Sequence, residues 1–141
     1  MALWLFKQEP DDYSFADLER DGATRWEGVK NPLALKHLRA CAVGDRAFFY
    51  HTGKEKAVVG VMEVTAADAD AGAVTVRAVR RLANLVPLAT IKADPAFAGW
   101  ELVTQSRLSV MPVTQAVWDR VEKYAAGTLT PPRAELKGKK K

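Results

Sequence analysis

Side chains that could bind a planar ligand are concentrated between residues 26 and 52. An indole, Trp26, comes first, an amide, Asn31, follows it, and the stretch closes on the phenol and imidazole of Tyr50 and His51. Aromatic rings stack on flat heterocycles, while amides form hydrogen bonds with their edges. We therefore predict that this stretch forms one wall of a pocket for a small molecule or a base.

Residue types that carry out catalysis or bind metals are sparse. The one cysteine, Cys41, lies near the end of an apolar helix face, where a buried, inert thiol is expected, and no neighbouring base is identified to activate it. His51 has no His, Cys or acidic partner at metal-ligand spacing, and His37 falls in the middle of a predicted helix. We predict no metal site, no cofactor and no catalytic residue.

The net positive charge lies at the C-terminal end. The 141 residues carry a net charge of +4, and residues 133–141 alone hold five positive side chains and one negative. The preceding residues are therefore neutral overall, which is unusual for a protein that binds nucleic acid mainly through phosphates. Their only basic cluster, Arg77, Arg80 and Arg81, suits an RNA-binding surface and a solvated strand face equally. If the chain binds nucleic acid, a pocket must contribute more than bulk charge.

Length and cysteine content favour one domain in a reducing compartment. A single cysteine excludes an internal disulfide, which predicts a cytoplasmic location. No apolar run reaches the roughly 20 residues of a membrane helix, and the start of the chain lacks the basic region of a signal peptide. No membrane partner is expected, and the oligomeric state is left open.

Short strands and capped helices must hold the pocket residues. Strands are predicted at residues 3–7, 46–51, 57–64, 74–82 and 105–110, and helices after the caps Ser14, Asn31 and Thr114. Gly60, inside a strand, indicates a bulge or a close backbone approach. Because short turns join successive strands, their pairing should be antiparallel. The pattern fits an α+β fold, either a mixed sheet curled into a barrel with helices outside or an open α+β sandwich.

Six motifs, in order and spread over the chain to about Gly127, resemble the EVE domain. They are Trp4-x-x-Lys7-x-Glu9-Pro10, Trp26-x-Gly28-Val29-x-Asn31-x-x-Ala34, Gly44-Asp45, Phe49-Tyr50-His51, Gly60-x-x-x-Val64 and Arg107-Leu108-Ser109-Val110-x-Pro112-Val113. The EVE domain belongs to the PUA-like superfamily, beside the YTH and ASCH domains. The resemblance implies a PUA-like mixed or antiparallel β pseudo-barrel with flanking helices at residues 1–127, followed by a disordered basic tail at residues 128–141.

The resemblance also implies a pocket for a base, expected to be a modified one, taken out of the stack. Trp26 would be the stacking ring, with Gly28 and Val29 letting the backbone approach the ligand. Asn31 would contact the base edge or cap its helix. Each has a structural alternative, since Trp26 could be a core tryptophan and Asn31 a helix cap alone.

The other implied ligand contacts surround this ring. Tyr50 and His51 would line the wall of the pocket opposite Trp26. Lys7 and Glu9 would close the mouth of the pocket. Arg107 would reach a phosphate or support the cage of side chains around the base. A lone histidine at a strand end is also typical of a hydrogen-bonded structural residue.

Four positions depart from the family pattern. Gln8 stands where the family usually has Ser, and Thr52 stands where Ser is common. Leu35 and Lys36 stand where Arg and Asn are expected, and the change at Leu35 removes a cation beside the pocket.

Three functions follow, in this order. The first is a non-catalytic module that binds a modified base in DNA or RNA. The second is a hydrolase or other enzyme acting on a modified nucleotide, with acid–base groups drawn from Lys7, Glu9, Tyr50 and His51. The third is a small-ligand sensor or protein-interaction module that keeps the pocket.

Overall fold

A computed structural model describes residues 1–130, so most of the predicted basic tail lies outside the described residues. Residues 1–130 form six strands and five α-helices. They are β1 (Leu3–Gln8), α1 (Phe15–Asp21), β2 (Ala23–Trp26), α2 (Pro32–Ala40), β3 (Arg46–His51), β4 (Ala57–Asp68), β5 (Ala73–Pro87), α3 (Leu88–Ala93), α4 (Glu101–Thr104), β6 (Val110–Pro112) and α5 (Gln115–Ala126).

All six strands form one mixed sheet in the order β2-β5-β4-β3-β1-β6. Strands β1 and β3 are parallel, and every other neighbouring pair is antiparallel. The edge strands β2 and β6 are not joined, so hydrogen bonds do not close the sheet into a ring. The predicted α+β class and the antiparallel pairing of β3, β4 and β5 are confirmed.

The sheet nevertheless curls around its own core. Trp26 lies on edge strand β2 and Phe6 on β1, with three strands between them, yet their ring centroids are 5.2 Å apart. Trp26 also packs edge-on against Phe49 of β3, at 5.5 Å. These contacts confirm the pseudo-barrel and place Trp26 where its open seam meets the core.

The packing of α1 on the sheet requires a glycine in β4. The pairing register shifts between Val58 and Gly60, and a Cβ at Gly60 would lie 2.5 Å from ring atoms of Phe15. Gly60 thus lets α1 pack directly onto the strand, which confirms the predicted close approach.

Side-chain caps fix three helix starts at the predicted positions. Ser14 and Asp17 form a reciprocal capping box at α1. The Asn31 carboxamide accepts hydrogen bonds from two backbone N–H groups of α2, and Thr114 accepts one at α5. Helix α5 ends at Gly127, whose φ of 82° is left-handed.

The sequence predictions were wrong in two places. The strand predicted at residues 105–110 is a turn that leads into the three-residue β6, because only Val110–Pro112 pairs with β1. Strand β2 was missed because it has only four residues, two of them polar, and belongs to a sheet edge. Its pairing with β5 positions Trp26.

Helix α5 covers the outer face of the sheet. Its Trp118 stacks on Phe48 of β3, with ring centroids 3.7 Å apart and planes 13° apart. The two cavities described below, beside Trp26 and beside Asn31, have no residue of α5 in their lining.

Candidate functional site

Strands β1 and β3 end side by side and present different residues to the two faces of the sheet. Lys7 pairs with Tyr50, and Gln8 pairs with His51. Because successive residues of a strand point to opposite faces, Lys7 and Tyr50 share one face while Gln8 and His51 share the other. Tyr50 and His51 therefore do not form one wall together, contrary to the sequence prediction.

Trp26 sits at the boundary between the core and solvent. Its side chain packs against Phe6 and Phe49, and the residue is only 6% exposed. Trp26 is also one of the residues that line a cavity at the surface, so it belongs both to the core and to a surface cleft.

We call this cavity the Trp26 cleft, with a volume of about 220 Å³. Its lining consists of Gln8, Tyr13, Thr24, Arg25, Trp26 and Glu27. Arg25 donates a hydrogen bond through Nε to Oε1 of Glu27 at 2.7 Å, so the charges in the lining are balanced. This bond is the main reason that the pKa of the Arg25 guanidinium lies above its usual range.

A second cavity, the Asn31 cleft, lies beside the start of α2 and has a volume of about 400 Å³. Its lining consists of Asn31, Leu33, Thr104, Gln105, Ser106, Arg107 and Leu108. Lys7 donates a hydrogen bond through Nζ to the Ser106 carbonyl at 2.9 Å, which brings a second cation to this turn. The lining contains one arginine and no carboxylate, so this cleft suits an anionic group.

The loop from Glu27 to Lys30 joins the two clefts. Gly28 has a left-handed φ of 76°, and a Cβ there would meet nothing within 4 Å. Val29 is half-buried and packs against the core. The surroundings of Gly28 are therefore open, and a ligand contact with its backbone stays a prediction.

Asn31 caps α2 through one end of its carboxamide. Oδ1 accepts hydrogen bonds from the N–H groups of Leu33 and Ala34, each at 3.0 Å. The NH₂ end has no hydrogen-bond partner in the described part of the chain, and Asn31 lines the second cleft. The cap is therefore present, and the amide donor remains available to a ligand.

His51 has its two ring nitrogens engaged within the fold. Nε2 accepts a hydrogen bond from the Phe15 N–H at 3.0 Å, which places the proton on Nδ1, and Nδ1 donates it to Oε1 of Glu55. His51 is buried and holds the start of α1 against β3. The sequence prediction overlooked Glu55, whose i+4 spacing to His51 was the available signal.

Tyr50 and Glu9 also lie away from both clefts. Tyr50 is 3% exposed, and burial raises its pKa to about 12. Burial lowers the pKa of Lys7, whose Nζ lies 5.6 Å from the centre of the Tyr50 ring. The Glu9 carboxylate accepts a hydrogen bond from the Asp11 N–H, so it organises the turn after β1.

The basic cluster on β5 is neutralised by neighbouring acids. Ion pairs join Arg77 to Glu63, Arg80 to Glu122, and Arg81 to Glu19. The arrangement is that of a solvated, paired strand face and leaves little charge for phosphates.

Of the nine residues predicted for the site, the structure brings Trp26, Asn31, Arg107 and Lys7 to the two clefts. It also adds residues that the sequence prediction did not select. These are Tyr13, Thr24, Arg25 and Glu27, with Gln8, which had been noted only as a departure from the family pattern. Their signal was proximity in sequence to Trp26 and to the end of β1.

Within residues 1–130, no group of three His, Cys, Asp or Glu side chains could hold a metal ion. Among the helices described there, none has the length and apolar character needed to cross a membrane.

Two of the similar proteins are human. The chain is 30% identical to human thymocyte nuclear protein 1 in an alignment that covers 84% of the chain and 71% of that protein. The crystal structure of human THYN1 protein in complex with 5-methylcytosine containing DNA superposes with a TM-score of 0.80 and 28% identity. That match covers 89% of this chain and 98% of the other.

Two bacterial structures extend the comparison. The NMR structure of Rpa0253 from Rhodopseudomonas palustris has a TM-score of 0.83 and 38% identity over 92% of this chain and 96% of that one. An ASCH structure from Zymomonas mobilis shares the fold, with a TM-score of 0.52 and 14% identity over 92% of this chain and 96% of the other. The model of the EVE domain matches residues 2–124. Because that match spans most of the chain, the protein belongs to the EVE domain family, as its ordered motifs had indicated.

Proposed function

We propose that this protein is a non-catalytic nucleic-acid-binding module that holds a modified base in the Trp26 cleft. The observation that carries the proposal is this cleft beside Trp26, in a chain similar over most of its length to human THYN1, which was crystallised with 5-methylcytosine containing DNA. A base taken out of the stack is bound by contact with aromatic rings and by hydrogen bonds to its edge.

The charges of the two clefts suit two different parts of a nucleic acid. The Trp26 cleft has a balanced Arg25–Glu27 pair, which suits a neutral base. The Asn31 cleft has Arg107 in its lining and Lys7 at its rim, which suits the sugar–phosphate backbone beside that base. The protein loop at Gly28 would run between the flipped base and the nucleic-acid strand from which that base was taken.

Stacking supplies only part of the affinity in this arrangement. Base–aromatic stacking is worth about 1–3 kcal/mol when a full ring face is available, but Trp26 is 6% exposed. One added methyl group in an apolar environment contributes about 0.8 kcal/mol. Recognition therefore depends on polar groups at the cleft rim as well as on the indole.

The positions of the acid–base candidates support binding over catalysis. His51 lies on the opposite face from Lys7 and Tyr50, and its nitrogens are engaged with Phe15 and Glu55. Tyr50 is buried. Lys7 alone of these side chains reaches a cleft, where neither His51 nor Tyr50 joins it, so the protein would bind its base without transforming it. We also propose a cytoplasmic location, because a chain with a single cysteine has no internal disulfide and suits a reducing compartment.

A titration of short fluorescent oligonucleotides tests the proposal. Duplex and single-stranded probes with one central 5-methylcytosine or cytosine would be compared by anisotropy at two salt concentrations. We expect tighter binding of the modified probe, and a loss of affinity for both probes in Arg107→Gln with a smaller salt slope, because one phosphate contact is removed. Lys123→Gln, which removes one exposed charge on α5, is the matched control.

Equal affinity for modified and unmodified bases across a panel of modifications would contradict the proposal. Equal losses in Arg107→Gln and Lys123→Gln would show that the Asn31 cleft makes no specific backbone contact.

A further inference from the structure

Two polar side chains in the Trp26 cleft point to the kind of base that it accepts, an inference that rests on the function proposed above. Gln8 and Glu27 both line the cleft, and neither has its full hydrogen-bonding capacity used within the described residues. A ligand in the cleft would meet one as a donor and the other as an acceptor.

Gln8 offers a donor because its carbonyl end is engaged. Its Oε1 accepts a hydrogen bond from the backbone N–H of Glu9 at 3.2 Å. This bond orients the carboxamide, so the NH₂ end is the one left for a ligand. Gln8 also shares its sheet face with buried His51, which sits on the neighbouring strand and limits where the Gln8 side chain can lie.

Glu27 offers an acceptor that is held in place. Arg25 donates to Oε1 of Glu27 at 2.7 Å and reaches Asp68 at 3.5 Å, so the guanidinium bridges two carboxylates. Oε2 of Glu27 accepts no hydrogen bond from the part of the chain that the structure describes. The Glu27 side chain is 58% exposed, which leaves this oxygen accessible at the rim.

We propose that the Trp26 cleft selects a base with an exocyclic amine next to an unprotonated ring nitrogen. The amine would donate to Glu27, and the ring nitrogen would accept from the Gln8 NH₂. Cytosine-type and adenine-type bases carry this pair of groups, whereas thymine and uracil carry the reverse. A thymine edge would place a carbonyl oxygen against the Glu27 carboxylate and a ring N–H against the Gln8 donor.

The test compares 5-methylcytosine with thymine, which share the 5-methyl group and differ in this edge. Identical single-stranded oligonucleotides carrying one or the other at the centre would be titrated by anisotropy. We expect wild-type protein to bind the 5-methylcytosine probe at least about 10-fold more tightly, as a complementary base-edge pair provides.

Two substitutions that keep side-chain shape reverse one contact each. Glu27→Gln supplies an NH₂ that can face a carbonyl, and Gln8→Glu keeps the acceptor for the Glu9 N–H while removing the donor. Each should lower the preference for 5-methylcytosine over thymine to about 3-fold or less. Glu63→Gln is the matched control, since Glu63 is also paired with an arginine on a strand but lies outside the cleft lining. It should keep the wild-type ratio.

The outcomes separate this inference from the proposed function. A wild-type protein that prefers modified over unmodified bases but does not separate 5-methylcytosine from thymine overturns the inference alone. Unchanged ratios in both cleft variants also overturn it alone. Wild-type protein that binds none of the probes contradicts the proposed function, and the inference fails with it.

Discussion

Asn31 combines two roles that substitution can separate. Its Oδ1 accepts hydrogen bonds from two backbone N–H groups at the start of α2, while its NH₂ has no hydrogen-bond partner among residues 1–130, and Asn31 lines the Asn31 cleft. Asn31→Asp keeps an acceptor for both N–H groups, removes the donor, and places a negative charge in the cleft that holds Arg107. Asn31→Ala removes the cap and the donor together.

The magnitudes follow from these contacts. Loss of an Asn cap costs about 1 kcal/mol, so Asn31→Ala should lower the melting temperature by about 3–5 °C in a domain of this size. Asn31→Asp should melt within about 1 °C of wild type, because a carboxylate at a helix N-terminus is favourable. Its affinity for a 5-methylcytosine oligonucleotide should fall at least about 5-fold, since a donor worth about 1 kcal/mol is lost and a like charge faces the phosphate.

Thermal unfolding by circular dichroism and anisotropy titration measure the two effects. Thr114→Ala is the control, because it removes one cap bond at α5 and should lower stability without changing affinity. Asn31→Asp with wild-type affinity would refute the ligand role of Asn31. A melting temperature as low as that of Asn31→Ala would refute the cap geometry.

Three further predictions concern the scaffold. Gly60→Ala should destabilise the fold by about 1–3 kcal/mol, because the new Cβ would lie 2.5 Å from the Phe15 ring; denaturant unfolding at wild-type stability would contradict the close packing. Burial opposes ionisation of Asp45, but hydrogen bonds outweigh it and lower the pKa of the carboxyl below its unfolded value. The stabilisation that the Asp45 carboxylate provides should therefore be complete above about pH 4 and disappear as the pH falls through the folded pKa. Unfolding curves measured across this pH range should show a weaker acid dependence for Asp45→Asn than for wild type. Burial raises the pKa of the Cys41 thiol to about 12, so native protein at pH 8 should react with an alkylating reagent far more slowly than unfolded protein, and equal rates would show the thiol to be open.

Local sequence signals were sufficient for α2 and β3, although not for β2, which positions Trp26. The Asn31-Pro32 pair fixed the start of α2, and the aromatic run that ends at His51 located β3 to the residue. Such features depend on neighbours within a few positions, so sequence alone determines them.

Contacts that depend on the curl of the sheet were beyond local signals. Trp26 meets Phe6 only because a sheet of six strands bends until its edge returns to the core. The separation of Tyr50 from His51 follows from strand alternation, a rule that was available but was not applied to the predicted pair. The turn at residues 105–109 resembled a strand because Leu108 is apolar and buried, yet a buried turn residue gives the same local pattern.

The central claim is that a base occupies the Trp26 cleft. A ¹⁵N NMR titration with a short 5-methylcytosine oligonucleotide measures binding and location together. We expect the largest shifts at the Gln8 side-chain NH₂, the Thr24 amide and the Trp26 indole N–H, with smaller ones at Asn31 and Arg107. A third cavity, lined by residues that include Gly99, Trp100 and Val113, shares no lining residue with either cleft. An absence of shifts, or shifts confined to that cavity, would contradict the account.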